Sequence, residues 1–389
     1  MISLLVALLT LTSFSNSYAA GVIRIDRQLH LNDENEHIAN PPIQTNNQGK
    51  DFKVKVAIID EGVDYNHPYL KDHIIQFEDR IGKDYVGRDS LPSPYFVRTI
   101  FDDPHAVFKS QGEQQMERIR SIKVKEPKLS PYFNEWRLIN YEMINLAYHG
   151  THVAHLATQG NEDIGILPYR ISMAPRALDS YGQGISSVEA YRESLLEAIK
   201  QSIKDGAQII NLSLVTGAMK DDIGQWQSLL FFEERLTKVL NDNPNVLLVA
   251  AAGNDGEDID GNENKVLPCQ LNHPRVLCVG AVDKENKRWE LSNFPLNKKE
   301  FVWERGVDIY SAKPIDMCLH PSIPDIVKGR LAPSVDELKE IADYCDQNQL
   351  EAKLSGTSMA TPTVSHQVAK LLIEDSSLSP EELIKKIIE

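Results

Sequence analysis

SSVEAYRESLLEAIKQSIKDGAQIINL, residues Ser186–Leu212, reads as a complete helix-to-strand unit. Ser186 and Glu189 have the spacing of a capping box. Val188, Tyr191, Leu195, Ile199 and Ile203 recur at the spacing of one helical face, and Gly206 is placed as a C-cap. The apolar strand Gln208–Leu212 follows. Toward the C-terminus, Gln225–Asn241 predicts a second helix, Val246–Ala250 a second strand and Val276–Val282 a third. Toward the N-terminus, VKVAII (Val54–Ile59) is a mostly apolar, β-branched run, the pattern of a strand buried on both faces. Ser379-Pro380-Glu381-Glu382 opens a last amphipathic helix with proline at its first position. Helices alternating with short apolar strands predict a three-layer α/β fold: a mainly parallel central sheet with helices on both faces.

The chain has 389 residues, 42% hydrophobic and 25% charged, which is ordinary for a folded protein. Its net charge of −15 argues against nucleic acid or an anionic membrane as the main partner, since both require clustered cations. Leu4–Leu11 is an apolar run too short to span a bilayer, and Ser17-Tyr18-Ala19 has the small-x-small form of a cleavage site. Residues 1–19 are therefore expected to be a signal peptide, although Lys and Arg are missing ahead of the apolar run. No later stretch reaches membrane-spanning length. Residues 20–52 are largely polar and read as an arm or short propeptide. Four cysteines in an exported chain point to disulfides, of which three connectivities are possible. Cys269–Cys278 with Cys318–Cys345 is the preferred pairing; four thiols without partners is the alternative.

Three short segments carry chemistry-bearing residues. Asp60 ends the first apolar strand in Ile59-Asp60-Glu61-Gly62, where a carboxylate can orient an imidazole or simply cap a turn. His149 opens HGTHVA (149–154). His149 and His152 could sit on one helical face as metal ligands, but no HExxH pattern or nearby carboxylate completes such a site. Ser358 lies in SGTSMATP (355–362), at the start of an apolar helix running to Ile373. There it is either an N-cap or a nucleophile favoured by the helix dipole.

In the order Asp, His, Ser, these segments resemble the active-site blocks of the subtilisin-like serine peptidases. The resemblance runs from about Val54 to Ile373. It implies that Ser358 attacks the scissile carbonyl, His149 carries the proton and Asp60 orients the imidazole. Ala251-Ala252-Gly253-Asn254-Asp255-Gly256 resembles the family's oxyanion block, with Asn254 as side-chain donor alongside the Ser358 N–H. Losing such a donor costs about 3–4 kcal/mol of transition-state stabilisation. Asn211-Leu212-Ser213-Leu214 resembles the strand on which substrate pairs. Ser213, Leu214 and Val215, with Gly253, are the expected substrate-binding residues.

The sequence also departs from the family. Val215 and Thr216 stand where Gly-Gly is usual, and Val266 falls near the base of the first specificity pocket. A pocket for small or medium apolar side chains is expected; Asp255 at the rim would instead favour a basic one. His155 and His366 replace helix glycines, and either pack side by side or reflect independent changes. Asn161–Ile166 resembles a calcium loop, but Tyr69 replaces a usual carboxylate. At most a weakened calcium site near Glu162 is expected, and no other metal or cofactor.

The resulting expectation is a peptidase domain over 53–375 with insertions near 96–147 and 316–353, then a C-terminal helix over 376–389. The implied protein is an exported serine endopeptidase, secreted or periplasmic and monomeric, acting on peptides or proteins through an acyl-enzyme. The alternatives are a catalytically silent binding protein of the same fold and a processing peptidase of narrow specificity.

Overall fold

A computed structural model of the chain describes residues 42–44, 47–85, 89–94, 117–129, 148–171, 177–178, 184–185, 187–260, 264–295, 297, 300–315, 317–318, 320–327 and 329–389. The expected signal peptide, most of the arm and much of the first insertion lie outside them. The strands are β1 (Val54–Asp60), β2 (Lys83–Asp84), β3 (Ile164–Arg170), β4 (Ala177–Leu178), β5 (Gly184–Ile185), β6 (Ile209–Leu212), β7 (Thr216–Met219), β8 (Leu247–Ala251), β9 (Asn264–Leu267), β10 (Val276–Val282), β11 (Phe301–Arg305), β12 (Ile309–Ala312) and β13 (Glu351–Leu354). The helices are α1 (His149–Thr158), α2 (Ser187–Lys204), α3 (Ile223–Asp242), α4 (Ile323–Val327), α5 (Val335–Gln347), α6 (Thr357–Glu374) and α7 (Pro380–Ile388).

Seven strands form the central sheet in the order β11-β10-β8-β6-β1-β3-β2, and every neighbouring pair is parallel. The expected mainly parallel sheet is therefore present. The period of two along β1 sorts its side chains. Val54, Val56 and Ile58 face Val153 and Ala157 of α1 and Val364 and Val368 of α6. Ala57 and Ile59 face Leu195 and Ile199 of α2 and Phe232 and Leu236 of α3. Both faces are covered by helices, which is why β1 reads as an unbroken apolar run.

From β1 the chain runs to the edge strand β2 and back to β3, and then crosses to β6, from which it continues outward through β8, β10 and β11 on the other side. The gap between the C-terminal ends of β1 and β6 is thus a topological switch point, where open α/β sheets bind ligands. Asp60 and Ser213 lie at those two ends.

Element boundaries moved slightly. Helix α3 starts two residues before the expected Gln225, because the Asp222 side chain accepts from Gln225 N at 3.1 Å and caps an earlier turn. Capping boxes are formed at Ser379/Glu382, where the sequence opens its last helix, and at Ser334/Glu337; Ser186, of the expected Ser186/Glu189 box, lies outside the described residues. Cys269 pairs with Cys278 and Cys318 with Cys345, at Cα separations of 4.9 and 5.2 Å.

The two insertions share one core. Ile119, Ile122 and Leu129 from the first pack with Met317, Cys318, Ile323, Ile326, Leu338, Ile341 and Cys345 from the second. Tyr148, immediately before α1, belongs to the same cluster.

His155 and His366 do not pair with each other. His366 Nδ1 lies 3.3 Å from the Ala157 carbonyl oxygen, while His155 Nδ1 lies 3.0 Å from Ser311 Oγ and its ring stands against Tyr69. Each ring has its own polar partner.

Burial keeps several of these imidazoles neutral. Desolvation lowers His67 to about 4 and His152 to about 3, outweighing the backbone carbonyls beside them. It also lowers His73, His155 and His366. An unfolded histidine takes its proton near pH 6.5. Below that pH the unfolded chain binds protons that the folded chain refuses, so folding stability falls as pH falls. The loss from His67 alone runs from about pH 6.5 to about 4 and amounts to on the order of 3 kcal/mol. Urea unfolding at a series of pH values should show stability dropping by more than about 1.4 kcal/mol per pH unit near pH 5. A flat profile between pH 7 and 5 would contradict the neutral-histidine assignment.

Candidate active site

Asp60 closes β1, with its side chain almost fully buried. His149 opens α1 and presents Nδ1 to both carboxylate oxygens, at 2.8 and 3.0 Å. Backbone fit explains the residues around the pair. A Cβ on Gly150 would sit 2.2 Å from the Gly62 carbonyl oxygen and 3.1 Å from Asp60 Cβ, so only glycine lets α1 approach β1 this closely. Thr151 Oγ1 accepts from Asp64 N at 2.9 Å, and Glu61 N donates to Asp60 Oδ1 at 2.8 Å. With its Nδ1 proton directed at Asp60, the imidazole keeps Nε2 as an acceptor. Burial by itself would lower the His149 pKa. The charge and hydrogen bond of Asp60, with Glu61 adding its charge, outweigh burial and raise it.

Ser358 is the second residue of α6, in the first turn, whose N–H groups lack intrahelical acceptors. Its Oγ donates to the Ser213 carbonyl at 3.1 Å, and Ser213 Oγ donates to the Ser358 carbonyl at 2.8 Å. The nucleophile candidate therefore rests on β6's end and makes no hydrogen bond to His149 here. A rotation of its side chain would be needed to reach Nε2, a common feature of sites without substrate. Asn211 supports the arrangement: its Nδ2 donates to Ser213 Oγ at 3.0 Å, and its Oδ1 accepts from Ser365 Oγ at 2.9 Å.

Asn254 follows β8. Its Oδ1 accepts from both Thr357 N and Thr357 Oγ1, each at 2.9 Å. Holding the amide oxygen this way directs Nδ2 outward as a donor beside the Ser358 N–H, and Gly253 N reaches Thr357 Oγ1 at 3.2 Å. Thr357 is a positioning residue that the sequence reading passed over. Its signal was its place directly before Ser358.

Of the expected substrate-binding residues, Ser213 is buried, Leu214 and Val215 are half-buried, and Leu214 packs against the α2–α3 side of the core. Thr216 is buried, and its Oγ1 accepts from Arg192 Nε at 3.0 Å. Arg192, buried on α2, also donates to the Gly217 and Gln225 carbonyls at 3.0 and 3.2 Å. An Arg amid the apolar positions of α2 was the available sequence clue. Half-buried Val266 packs with Ala252 and the Cys269–Cys278 pair, behind the strand end that carries Gly253 and Asn254.

The candidate calcium loop is engaged otherwise. Asp163 is paired with Lys53 at 3.0 Å, Asn161 Oδ1 accepts from Asp163 N at 3.1 Å, and Tyr69 contacts His155. Among the described residues no group of three or more His, Cys, Asp or Glu is arranged to hold a metal ion.

A profile described as the subtilase family matches residues 51–389. Halolysin from Haloferax mediterranei is 26% identical over 333 residues, covering 85% of this chain and 43% of the relative. A thermophilic serine proteinase from Bacillus sp. (strain AK1) is 24% identical over 321 residues, covering 82% of this chain and 51% of the relative. The chain thus spans about half the length of these curated relatives. Among solved structures, a lanthipeptide protease superposes with a TM-score of 0.50 at 18% identity, covering 86% of this chain and 79% of that one, a likeness of fold.

Glu61 and Asp60 both favour the charged form of His149. Replacing Glu61 with Gln removes one of these anions and should move the His149 titration to lower pH. NMR of the ring Cε1–H resonance would read the shift. An unmoved or rising pKa would show that Glu61 does not act on the imidazole.

Proposed function

Because this chain belongs to the subtilase family, we propose that it is a serine endopeptidase using Asp60, His149 and Ser358. The observation that carries this reading is the Asp60–His149 pair at 2.8 Å, set at the switch point beside Ser358. In the proposed reaction Ser358 Oγ bonds to the scissile carbonyl carbon and its proton passes to His149 Nε2. The carbonyl oxygen becomes an anion that accepts from Asn254 Nδ2 and the Ser358 N–H. The C–N bond then breaks, and the leaving amine takes the proton from His149. Water repeats the sequence on the acyl-enzyme and restores Ser358. Asp60 stays ionised and stabilises the imidazolium. These side chains suffice for the reaction, so no cofactor enters the proposal.

The proposed substrates are peptides or proteins, bound as an added strand along Ser213–Val215. Half-buried Val215 and Val266 favour small or medium apolar side chains in the first pocket. Two disulfide pairs and the N-terminal apolar run support export to an oxidising compartment. One observation favours the narrower reading of a processing peptidase: both insertions pack as one body on Tyr148, next to His149. Efficient casein hydrolysis would count against it.

A fluorophosphonate probe should label the wild-type protein and fail to label Ser358→Ala. Asn254→Ala should still be labelled and should lose about 10²–10³ in kcat. A folded wild-type protein that neither reacts with the probe nor cleaves peptides would instead be a binding protein on a peptidase fold.

A further inference from the structure

The loop Ala252–Glu257 has to hold Asn254 still, yet it contains two glycines with positive φ, Gly253 at +101° and Gly256 at +73°. Thr357 holds it from the side of the nucleophile helix. Its other side is gripped by one buried residue far away in sequence. Asn293 is 1% exposed and packs directly beneath the loop. Its Nδ2 donates to the Ala252 carbonyl at 3.1 Å and to Asp255 Oδ2 at 3.2 Å. Its Oδ1 accepts from Asp255 N and Glu257 N, both at 3.0 Å. Its own backbone N donates to the Gly253 carbonyl at 3.0 Å.

These contacts reach residues 252, 253, 255 and 257 and straddle Asn254 without touching it. Each side-chain atom of the Asn293 amide is used twice, and the amide needs both its donor and its acceptor end to do so. The fit is close enough to dictate a neighbour. A Cβ on Gly253 would lie 2.5 Å from Asn293 Nδ2, so that position must be glycine while Asn293 is there. Asn293 is itself fastened to the sheet. Ser292 Oγ donates to the Asn293 carbonyl at 3.0 Å and accepts from Ala281 N, in β10, at 2.9 Å. Flanking backbone bonds continue the seam, from Gly256 N to the Leu291 carbonyl and from Phe294 N to the Glu257 carbonyl.

We infer that Asn293 is a positioning residue for the oxyanion donor: its buried amide clamps the loop on both sides of Asn254, so that Nδ2 is already aimed where the oxyanion forms. The inference rests on the proposed peptidase reaction. Stabilisation of a developing charge depends on donors that need not reorganise during the step. Asn293 does not reach the cleft, so it acts on the transition state through Asn254 and leaves substrate binding alone.

The test is a double-mutant cycle on peptide hydrolysis, combining Asn293→Ala with Asn254→Ala. Asn293→Ala alone should lower kcat by about 10- to 100-fold, part of the loss seen for a missing donor, with KM changed less than about twofold. In the Asn254→Ala background the same substitution should have little further effect on kcat. Binding of a peptide boronic acid, which forms the tetrahedral adduct, should weaken with kcat. Asn293→Asp keeps the acceptor but loses both donations and sets a carboxylate against Asp255. Adding Asp255→Asn restores a donor–acceptor pair and should recover part of kcat. This second pair gives the answer if Asn293→Ala does not fold.

Equal losses in both backgrounds, or a loss confined to KM, would overturn the clamp. So would an Asn293→Asp variant with wild-type kcat. An inactive wild-type protein would instead sink the peptidase reading, so the two failures are distinguishable.

Discussion

Helix α6 must be locked to strand ends that belong to another layer, and the reciprocal hydrogen bonds between Ser213 and Ser358 make that lock. Two such bonds contribute only about 1 kcal/mol each in net terms. The burial of Val364, Val368, Ala369 and Leu372 against the sheet contributes far more, at roughly 1.5–3 kcal/mol for each large apolar side chain. Apolar packing therefore holds α6 against the sheet but is indifferent to small slides along it. The directional bonds choose one setting, the one that brings Ser358, Asn254 and the end of β1 to the same crevice. Asn211 and Ser365 extend the lock one layer deeper.

Close backbone approach is the second constraint, and it takes the same form on both sides of the crevice. Gly150 lets α1 ride against Gly62 and Asp60; Gly253 lets the Asn254 loop ride against Asn293. At Gly150 a side chain would collide with the Gly62 carbonyl oxygen, and at Gly253 with Asn293 Nδ2, which already makes two hydrogen bonds. The glycines set distances here, and the polar partners set angles.

Local chemistry made most of the fold legible in the sequence. Apolar periodicity and helix-start signals located β1, α2 and α7 to within a residue or two. The Asp, His and Ser segments were legible because each is a short contiguous motif. What stayed hidden was nonlocal. Asn293 contacts a loop some 40 residues away, and nothing in Ser-Asn-Phe marks it. The two insertions looked separate because the shared core of Ile119, Ile122 and Ile341 forms only after residues over 200 positions apart meet. The bond from Arg192 to Thr216 was hidden because the burial of Arg192 on α2 is a tertiary fact. His155 and His366 occupy equivalent places by motif, yet their polar partners lie on different elements.

His149 and His152 show how far environment separates identical side chains. They sit on one helix, three positions apart, yet Asp60 raises the first while burial lowers the second to about 3. The difference is useful to the site. A charged His152 would repel the His149 imidazolium and lower its pKa, working against Asp60. Kept neutral, His152 instead presents Nε2 to the Ile309 and Ala352 carbonyls, both at 3.1 Å. Those carbonyls belong to β12 and β13, the antiparallel ribbon whose strands bracket the second insertion. The helix that begins with His149 is thus tied to the inserted body at Tyr148 by packing and at His152 by hydrogen bonds.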